Sequence, residues 1–143
     1  MLGYIRNTHI FQAKRQLVLK LKAKLQAEDE LKRHKQAIFE IEKEYEKTSQ
    51  QVEHLQSIMS KQSQGISLTP QEFTDLQGSK EIIALNEKQG AQLDRMYAKE
   101  VKLNNAVDRT TLAYKQTKIK HGVALGVTVL ITKVGTPELF PES

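Results

Sequence analysis

The chain has no cysteine and no tryptophan, and its 143 residues include only four phenylalanines and four tyrosines. Without cysteine there is neither a disulfide framework nor a thiolate metal site. With so few aromatic residues the apolar surface is mainly aliphatic, and a hydrophobic content of 38% is low for a chain built around a large central core. We expect the apolar residues to form a seam between helices.

Long apolar runs are also lacking. The first residues, MLGYIRNTHIFQAKR, contain no run of signal-peptide length. The apolar stretch in HGVALGVTVL covers roughly eleven residues, too few to cross the hydrocarbon core of a bilayer. These features predict a cytoplasmic protein with no membrane span.

Motifs for catalysis and for nucleic-acid binding are missing as well. There is no His-Glu-x-x-His, no Gly-x-Ser-x-Gly and no phosphate-binding glycine loop. No zinc finger, RNA-recognition or helix-turn-helix signature appears, and no aromatic residue is spaced among the lysines as a stacking platform. The four histidines lie at spacings that do not suit a metal site: His9, His34, His54 and His121. We expect no enzyme, no cofactor, no metal site and no nucleic-acid partner.

The sequence does contain a long heptad pattern. From residue 10 to residue 59 an apolar residue recurs at every seventh position, with one lysine in the series, and two partial rows accompany it. The pattern predicts a helix from about residue 5 to about residue 62. The first row is Ile10, Leu17, Lys24, Leu31, Ile38, Tyr45, Val52 and Met59, the second is Ala13, Ala27, Ile41 and Leu55, and the third is Phe11, Val18, Leu25 and Phe39.

The segment GISLTPQEF, residues 65–73, predicts a turn between two helices. Thr69, Pro70 and Glu72 stand at the N-cap, N1 and N3 positions of a capping box, and Gly65 can adopt the left-handed conformation that ends a helix. We therefore expect a turn at about 63–69 and a second helix at about 70–120. Its apolar stripe is weaker than that of the first helix and includes Phe73, Leu93, Met96, Tyr97, Leu103 and Tyr114.

Two helices of similar length joined by a short turn define the predicted fold class. It is all-α, a long antiparallel two-helix coiled-coil hairpin over residues 1–121, with a short C-terminal tail. The tail, residues 122–143, is apolar and then contains proline, and we expect it to be irregular or partly disordered.

The net charge of +5 is unevenly distributed. Six cations precede the first acidic residue, and four lysines lie between Asp108 and Glu138 with no acid among them. An antiparallel hairpin brings both groups together and gives the protein one basic end; the alternative interpretation is a solvated charged face. The ten residues are Arg6, Lys14, Arg15, Lys20, Lys22, Lys24, Lys115, Lys118, Lys120 and Lys133.

Three segments of this layout resemble the central stalk proteins of bacterial type III secretion systems, the SctO/YscO family, which is similar to the flagellar stalk FliJ. They are the basic N-terminus MLGYIR, the segment LQAEDELKRHKQAI at 25–38, and SLTPQEFTDLQGSKEIIALNEKQ at 67–89. Together they are distributed over residues 1–89. The apolar, β-branched tail departs from the charged helical tails of that family.

The resemblance implies a non-enzymatic, monomeric stalk in an export apparatus involved in virulence. Such a stalk links a hexameric ATPase to the export gate, assists secretion chaperones and their substrates, and works in the cytoplasm at the inner face of the inner membrane, with peripheral membrane contact. The implied ATPase-binding residues are Arg6, Lys14, Arg15, Lys22, Lys118 and Lys120. The implied gate-binding residues, near the turn, are Glu42, Tyr45, Ser49, Phe73, Gln77 and Lys80.

Two other functions fit the same composition. One is a cytoplasmic helical chaperone for secreted proteins, and the other is a structural coiled-coil protein. Co-purification with an ATPase would distinguish a stalk from a chaperone, and the oligomeric state would distinguish a stalk from a coiled-coil dimer.

Overall fold

The chain folds as an all-α antiparallel hairpin, as predicted. The computed structural model describes the backbone of residues 2–124 and the side chains of residues 10–121. Helix α1 spans Leu2–Ser63, helix α2 spans Pro70–Gln77 and helix α3 spans Ser79–Ala124, and this described part contains no strand. The predicted tail begins too early, because residues 122–124 belong to α3; the remainder, from residue 125, lies outside the described residues.

Helix α1 ends in a Schellman motif. The backbone N–H of Ile66 donates to the carbonyl of Lys61 at 2.9 Å, and that of Gly65 donates to the carbonyl of Gln62 at 3.2 Å. Gly65 has φ of +76°, a conformation that only glycine adopts without strain. These bonds satisfy carbonyl groups that the end of the helix would otherwise leave unpaired.

Helix α2 begins with the predicted capping box. The backbone N–H of Glu72 donates to Oγ1 of Thr69 at 3.2 Å, and the backbone N–H of Thr69 donates to Oε1 of Glu72 at 2.9 Å. Pro70 at the first helical position has no N–H to leave unpaired. The start of the second arm of the hairpin is thus determined by a local sequence signal.

The second arm is not the single helix that the sequence predicted. It is interrupted at Gly78, which caps α2 with φ of −99° and ψ of 12°, before α3 begins at Ser79. Gly78 has no side chain to restrict its backbone and favours such a break. The interruption is confined to one residue, and the N–H of Ile82 donates to the carbonyl of Gly78 at 3.3 Å as the first helical bond of α3.

The chain comprises two compact units. The first, here called the terminal unit, contains residues 1–32 and 101–143, and its described part holds the start of α1 and the end of α3. The second, here called the turn unit, contains residues 33–100 and therefore the rest of α1, the turn, α2 and the start of α3.

The buried residues of the turn unit follow the predicted seam at first, but near the end of α1 they are displaced by one position. Ile38 and Leu55, taken from the two main heptad rows, are buried, and Leu93 of α3 is buried as well. Ile58 is the most fully buried side chain in the described part, although the strict seven-residue count placed its neighbour Met59 in the seam. An α-helix has 3.6 residues per turn, so its apolar face moves away from a seven-residue repeat over many turns.

A cluster of polar side chains interrupts this apolar seam. Thr48 and Gln89, each only 7% exposed, are joined by a 2.6 Å bond from Oγ1 of Thr48 to Oε1 of Gln89. The side-chain amide of Asn86 donates to Oγ1 of Thr48 at 3.0 Å and to Oγ of Ser49 at 2.9 Å. Because both helices contribute, the cluster favours one register of α1 against α3.

The third heptad row does not belong to the seam. All four of its side chains are at least half exposed: Phe11, Val18, Leu25 and Phe39. In the second arm, Phe73 is more than half exposed and Tyr97 is 40% exposed. A pair of helices covers only a narrow stripe on each partner, and residues one position away from that stripe remain in solvent. The exposed apolar side chains are therefore available for contacts outside the hairpin.

Candidate functional site

The two units differ strongly in charge. Residues 2–32 hold seven Lys and Arg against three Asp and Glu, and residues 101–124 hold five against one, so the described part of the terminal unit carries +8. The turn unit holds nine basic against eleven acidic residues and carries −2. The positive charge of the protein is therefore concentrated in one unit, and a ligand of opposite charge would be attracted to that unit first.

Five of the six predicted ATPase-binding residues have exposed side chains in the terminal unit, and the side chain of the sixth, Arg6, lies outside the described residues. None of the five forms an ion pair with another described residue. Lys24 differs, because its amino group is 3.2 Å from Oε1 of Glu28. The five exposed residues are Lys14, Arg15, Lys22, Lys118 and Lys120.

On α1 three of these cations share a face with exposed apolar side chains. Phe11, Val18 and Leu25 are seven residues apart, so they lie in one row along the helix. Their side chains are 67%, 62% and 52% exposed. We call the face formed by Phe11, Lys14, Arg15, Val18, Lys22 and Leu25 the mixed face.

The mixed face offers two kinds of contact at once. Its apolar row can bury surface against an apolar groove, and its cations can pair with carboxylates at the rim of that groove. A second exposed apolar row, Val101, Leu112 and Ile119, lies on α3 of the same unit. Sequence reasoning placed Phe11, Val18 and Leu25 in the apolar stripe of the helix and did not group all three with the cations as one surface.

The six predicted gate-binding residues do not form one connected site. Glu42 and Tyr45 line a cleft, whereas Ser49 is half-buried and accepts a hydrogen bond from Asn86. The other three, Phe73, Gln77 and Lys80, are exposed on α2 and at the start of α3. Within the described part, no hydrogen bond or ion pair joins these three to the first three.

The cleft lies between α1 and α3 in the turn unit and has a volume of about 260 Å³. We call it the tyrosine cleft, because two tyrosine rings and two carboxylates line it. The hydroxyl of Tyr97 donates to Oε2 of Glu42 at 2.7 Å and so connects the two helices. The lining residues are Glu42, Tyr45, Gly90, Leu93, Asp94 and Tyr97.

Carboxylates are the charged groups that act on Tyr97 in the tyrosine cleft. The hydrogen bond to Glu42 raises the pKa of Tyr97 above its ordinary value, and partial desolvation together with the charges of Glu42, Glu100 and Asp94 raises it further. Every one of these charges is a carboxylate. A cation placed beside the Tyr97 ring would therefore be stabilised.

Sequence reasoning found only half of this cleft. It named Glu42 and Tyr45 but missed the residues that α3 contributes. Gly90, Asp94 and Tyr97 are spaced at i, i+4 and i+7, which places them on one helix face. A glycine inside a helical pattern was the available signal, because glycine weakens a helix and can have a packing or functional reason there.

Near the turn, an ion pair and a hydrogen bond join α1 to α2. The amino group of Lys61 lies 2.9 Å from Oε2 of Glu72, and Nε2 of His54 lies 3.0 Å from Oδ2 of Asp75. The backbone N–H of Thr69, followed by Lys61, lowers the pKa of Glu72, and the hydrogen bond with His54, followed by that with Gln71, lowers the pKa of Asp75. Both carboxylates thus favour the closed turn when they are ionised.

The described residues contain no cluster of three or more His, Cys, Asp or Glu side chains that could hold a metal ion. In the same part of the chain, no helix has the length and apolar character needed to span a membrane. Comparison with protein-family models, curated proteins and solved structures gives no match.

Proposed function

We propose that the chain is a non-enzymatic stalk protein of a type III secretion export apparatus. In this proposal the terminal unit binds a hexameric ATPase, and the turn unit contacts the export gate and secretion chaperones from the cytoplasmic side of the inner membrane. The proposal rests on the resemblance of residues 1–6, 25–38 and 67–89 to the SctO/YscO family. It rests equally on the surface chemistry of the terminal unit.

The observation that carries the proposal is the separation of charge between the units. A net charge of +8 in the described terminal unit, against −2 in the turn unit, suits a protein that binds an acidic partner through one unit only. If these cations formed only a solvated charged face, there would be no reason for exposed apolar residues to lie among them. The mixed face contains three of them, each more than half exposed.

The expected binding energy has two parts. Exposed ion pairs contribute about 0 to 1 kcal/mol each, so four cations of the terminal unit together contribute roughly 2 to 3 kcal/mol, which salt reduces. Full burial of a Val, Leu or Phe side chain contributes about 1.5 to 3 kcal/mol, and more than half of each side chain in the apolar row remains to be buried. The apolar part should persist at high salt.

Co-purification with the ATPase tests this proposal. The full chain, tagged at the C-terminus, is expected to retain the secretion ATPase at low salt and to retain a reduced amount at 0.5 M salt. The control is a chain with Phe11→Ser, Val18→Ser and Leu25→Ser, which keeps every cation and should lose the salt-resistant fraction. Recovery of secreted proteins without the ATPase would indicate a chaperone, and recovery of the chain alone would indicate a structural coiled coil.

A further inference from the structure

The tyrosine cleft carries carboxylates without cationic partners. Glu42 is engaged by the hydroxyl of Tyr97, and neither Glu42 nor Asp94 forms an ion pair with any residue that the structure describes. The neighbouring ring of Tyr97 is 40% exposed. A site that combines carboxylates lacking cationic partners with accessible aromatic rings has the chemistry that recognises organic cations.

We propose that the tyrosine cleft binds the cationic side chain of an arginine or lysine presented by a partner protein. The charged group would pair with the carboxylates of Glu42 and Asp94, while the alkyl stem would lie against the rings of Tyr45 and Tyr97. Leu93 at the base of the cleft is 4% exposed and provides an apolar surface for the stem.

The size of the cleft supports a single side chain as the ligand. Its volume of about 260 Å³ falls below the range of roughly 300 to 1,000 Å³ that is typical of sites for cofactors and drug-sized molecules. The cleft is also open to solvent at the surface of the turn unit, where a residue on another protein can reach it.

Gly90 allows the cleft to exist in this form. A Cβ atom on residue 90 would lie 3.3 Å from Cε1 and 3.5 Å from the hydroxyl oxygen of Tyr45. With glycine there, the ring of Tyr45 rests directly against the backbone of α3. Because glycine inside a helix is less stable than alanine, its presence at this point is explained by the position of the ring.

Binding can be measured by the ring signals of the tyrosines in NMR spectra of the full chain. The probes are the blocked tripeptides acetyl-Gly-Arg-Gly-amide and acetyl-Gly-Lys-Gly-amide, with the citrulline peptide as the neutral control and tetramethylammonium as a free cation. We expect a cationic peptide to shift the signals of Tyr45 and Tyr97 saturably. The signals of Tyr114, which belongs to the terminal unit, should stay unchanged.

Two variants make the test specific. Glu42→Gln with Asp94→Asn removes both charges but keeps an oxygen on residue 42 that accepts the hydrogen bond from Tyr97, and it should weaken binding roughly tenfold. The matched control is Glu53→Gln with Glu87→Gln, two exposed residues of the same unit, which should leave binding unchanged. Gly90→Ala should displace the Tyr45 ring by a few tenths of an ångström and weaken binding, while the helix content is retained or increased.

Equal shifts with the citrulline peptide, or the absence of a saturable shift with both cationic peptides, would overturn the proposal. Tighter binding of tetramethylammonium than of either cationic peptide would also overturn it, because the ligand would then be a free quaternary amine. The inference does not depend on the proposed function. Loss of cleft binding would leave ATPase recovery unchanged, and a failure of ATPase recovery would not alter the NMR titration.

Discussion

Replacing Thr48 by Val should destabilise the hairpin by about 1 to 3 kcal/mol, although the two side chains have nearly the same shape. Thr48 is 7% exposed, and its hydroxyl is 2.6 Å from Oε1 of Gln89. The substitution removes that donor and leaves a buried carbonyl oxygen unpaired, which costs roughly the desolvation energy of the group. The amide of Asn86 also loses its bond to Oγ1 of Thr48, but it keeps the bond to Ser49 and is only half-buried, so the main loss falls on the buried Gln89.

Replacing Gln89, the partner of Thr48, should destabilise the hairpin less than Thr48→Val does. In Gln89→Leu the hydroxyl of Thr48 can donate to the backbone carbonyl of Tyr45, which lies 3.1 Å away, and no buried group is left unpaired on α1. The double variant Thr48→Val with Gln89→Leu replaces both partners by apolar groups and should be close to wild type. The double variant should therefore lose about 1 to 2 kcal/mol less stability than the sum of the losses in the two single variants.

The assay is urea unfolding followed by circular dichroism at 222 nm. Thr110→Val is the matched control, because the hydroxyl of Thr110 donates only to carbonyls of its own helix, those of Ala106 and Val107, and its removal should change stability by less than about 0.5 kcal/mol. A Thr48→Val protein as stable as the control, or a double variant whose loss equals the sum of the singles, would refute this reasoning.

Three further predictions concern the turn and the pairing of the helices. Thr69→Ala removes the acceptor of the capping box and should destabilise the start of α2 by about 0.5 to 2 kcal/mol, measured by amide hydrogen exchange of Glu72 and Phe73; unchanged exchange would contradict the capping role. The folded-state pKa of Glu72 lies below 4.5, so its contribution to stability is complete above that pH and is lost as the pH falls through the lowered pKa. In Lys61→Met the pKa of Glu72 should rise but stay below 4.5, because the N–H of Thr69 still donates; a carbon-13 NMR titration that finds no change would remove Lys61 from the turn. Cysteines at Ala13 and Tyr114, introduced into a chain that has none, should be joined within one monomer by a short bismaleimide, and exclusively intermolecular products would contradict the hairpin.

Local signals allowed the fold to be predicted. The capping box at Thr69 and Glu72, and the left-handed Gly65, depend on a few neighbouring residues, and both appear as expected. The break at Gly78 was missed because a single glycine is also tolerated inside a continuous helix. The heptad rows predicted several buried residues of the seam, but strict counting by seven missed Ile58.

The candidate sites were harder to predict because they depend on how one helix lies against the other. Glu42 was named without its partner Tyr97, since residues 55 positions apart meet only when the register is known. The same is true of Thr48 and Gln89. The mixed face was misassigned because Phe11 and Val18 lie one position beyond the seam, and sequence alone does not indicate how wide a strip a single partner helix covers.

The central claim is that the cations of the terminal unit engage a secretion ATPase. Its most direct test is the stimulation of the purified cognate ATPase by the wild-type protein and by Lys14→Glu/Arg15→Glu/Lys118→Glu/Lys120→Glu. The matched control, Lys35→Glu/Lys47→Glu/Lys88→Glu/Lys99→Glu, makes the same change in net charge at exposed sites of the turn unit. All three proteins are first shown to have equal helix content by circular dichroism. The account predicts full stimulation by the control and a loss of binding of roughly 2 to 3 kcal/mol or more for the terminal-unit variant, a loss that added salt reproduces in the wild type. Equal stimulation by the two variants would contradict it.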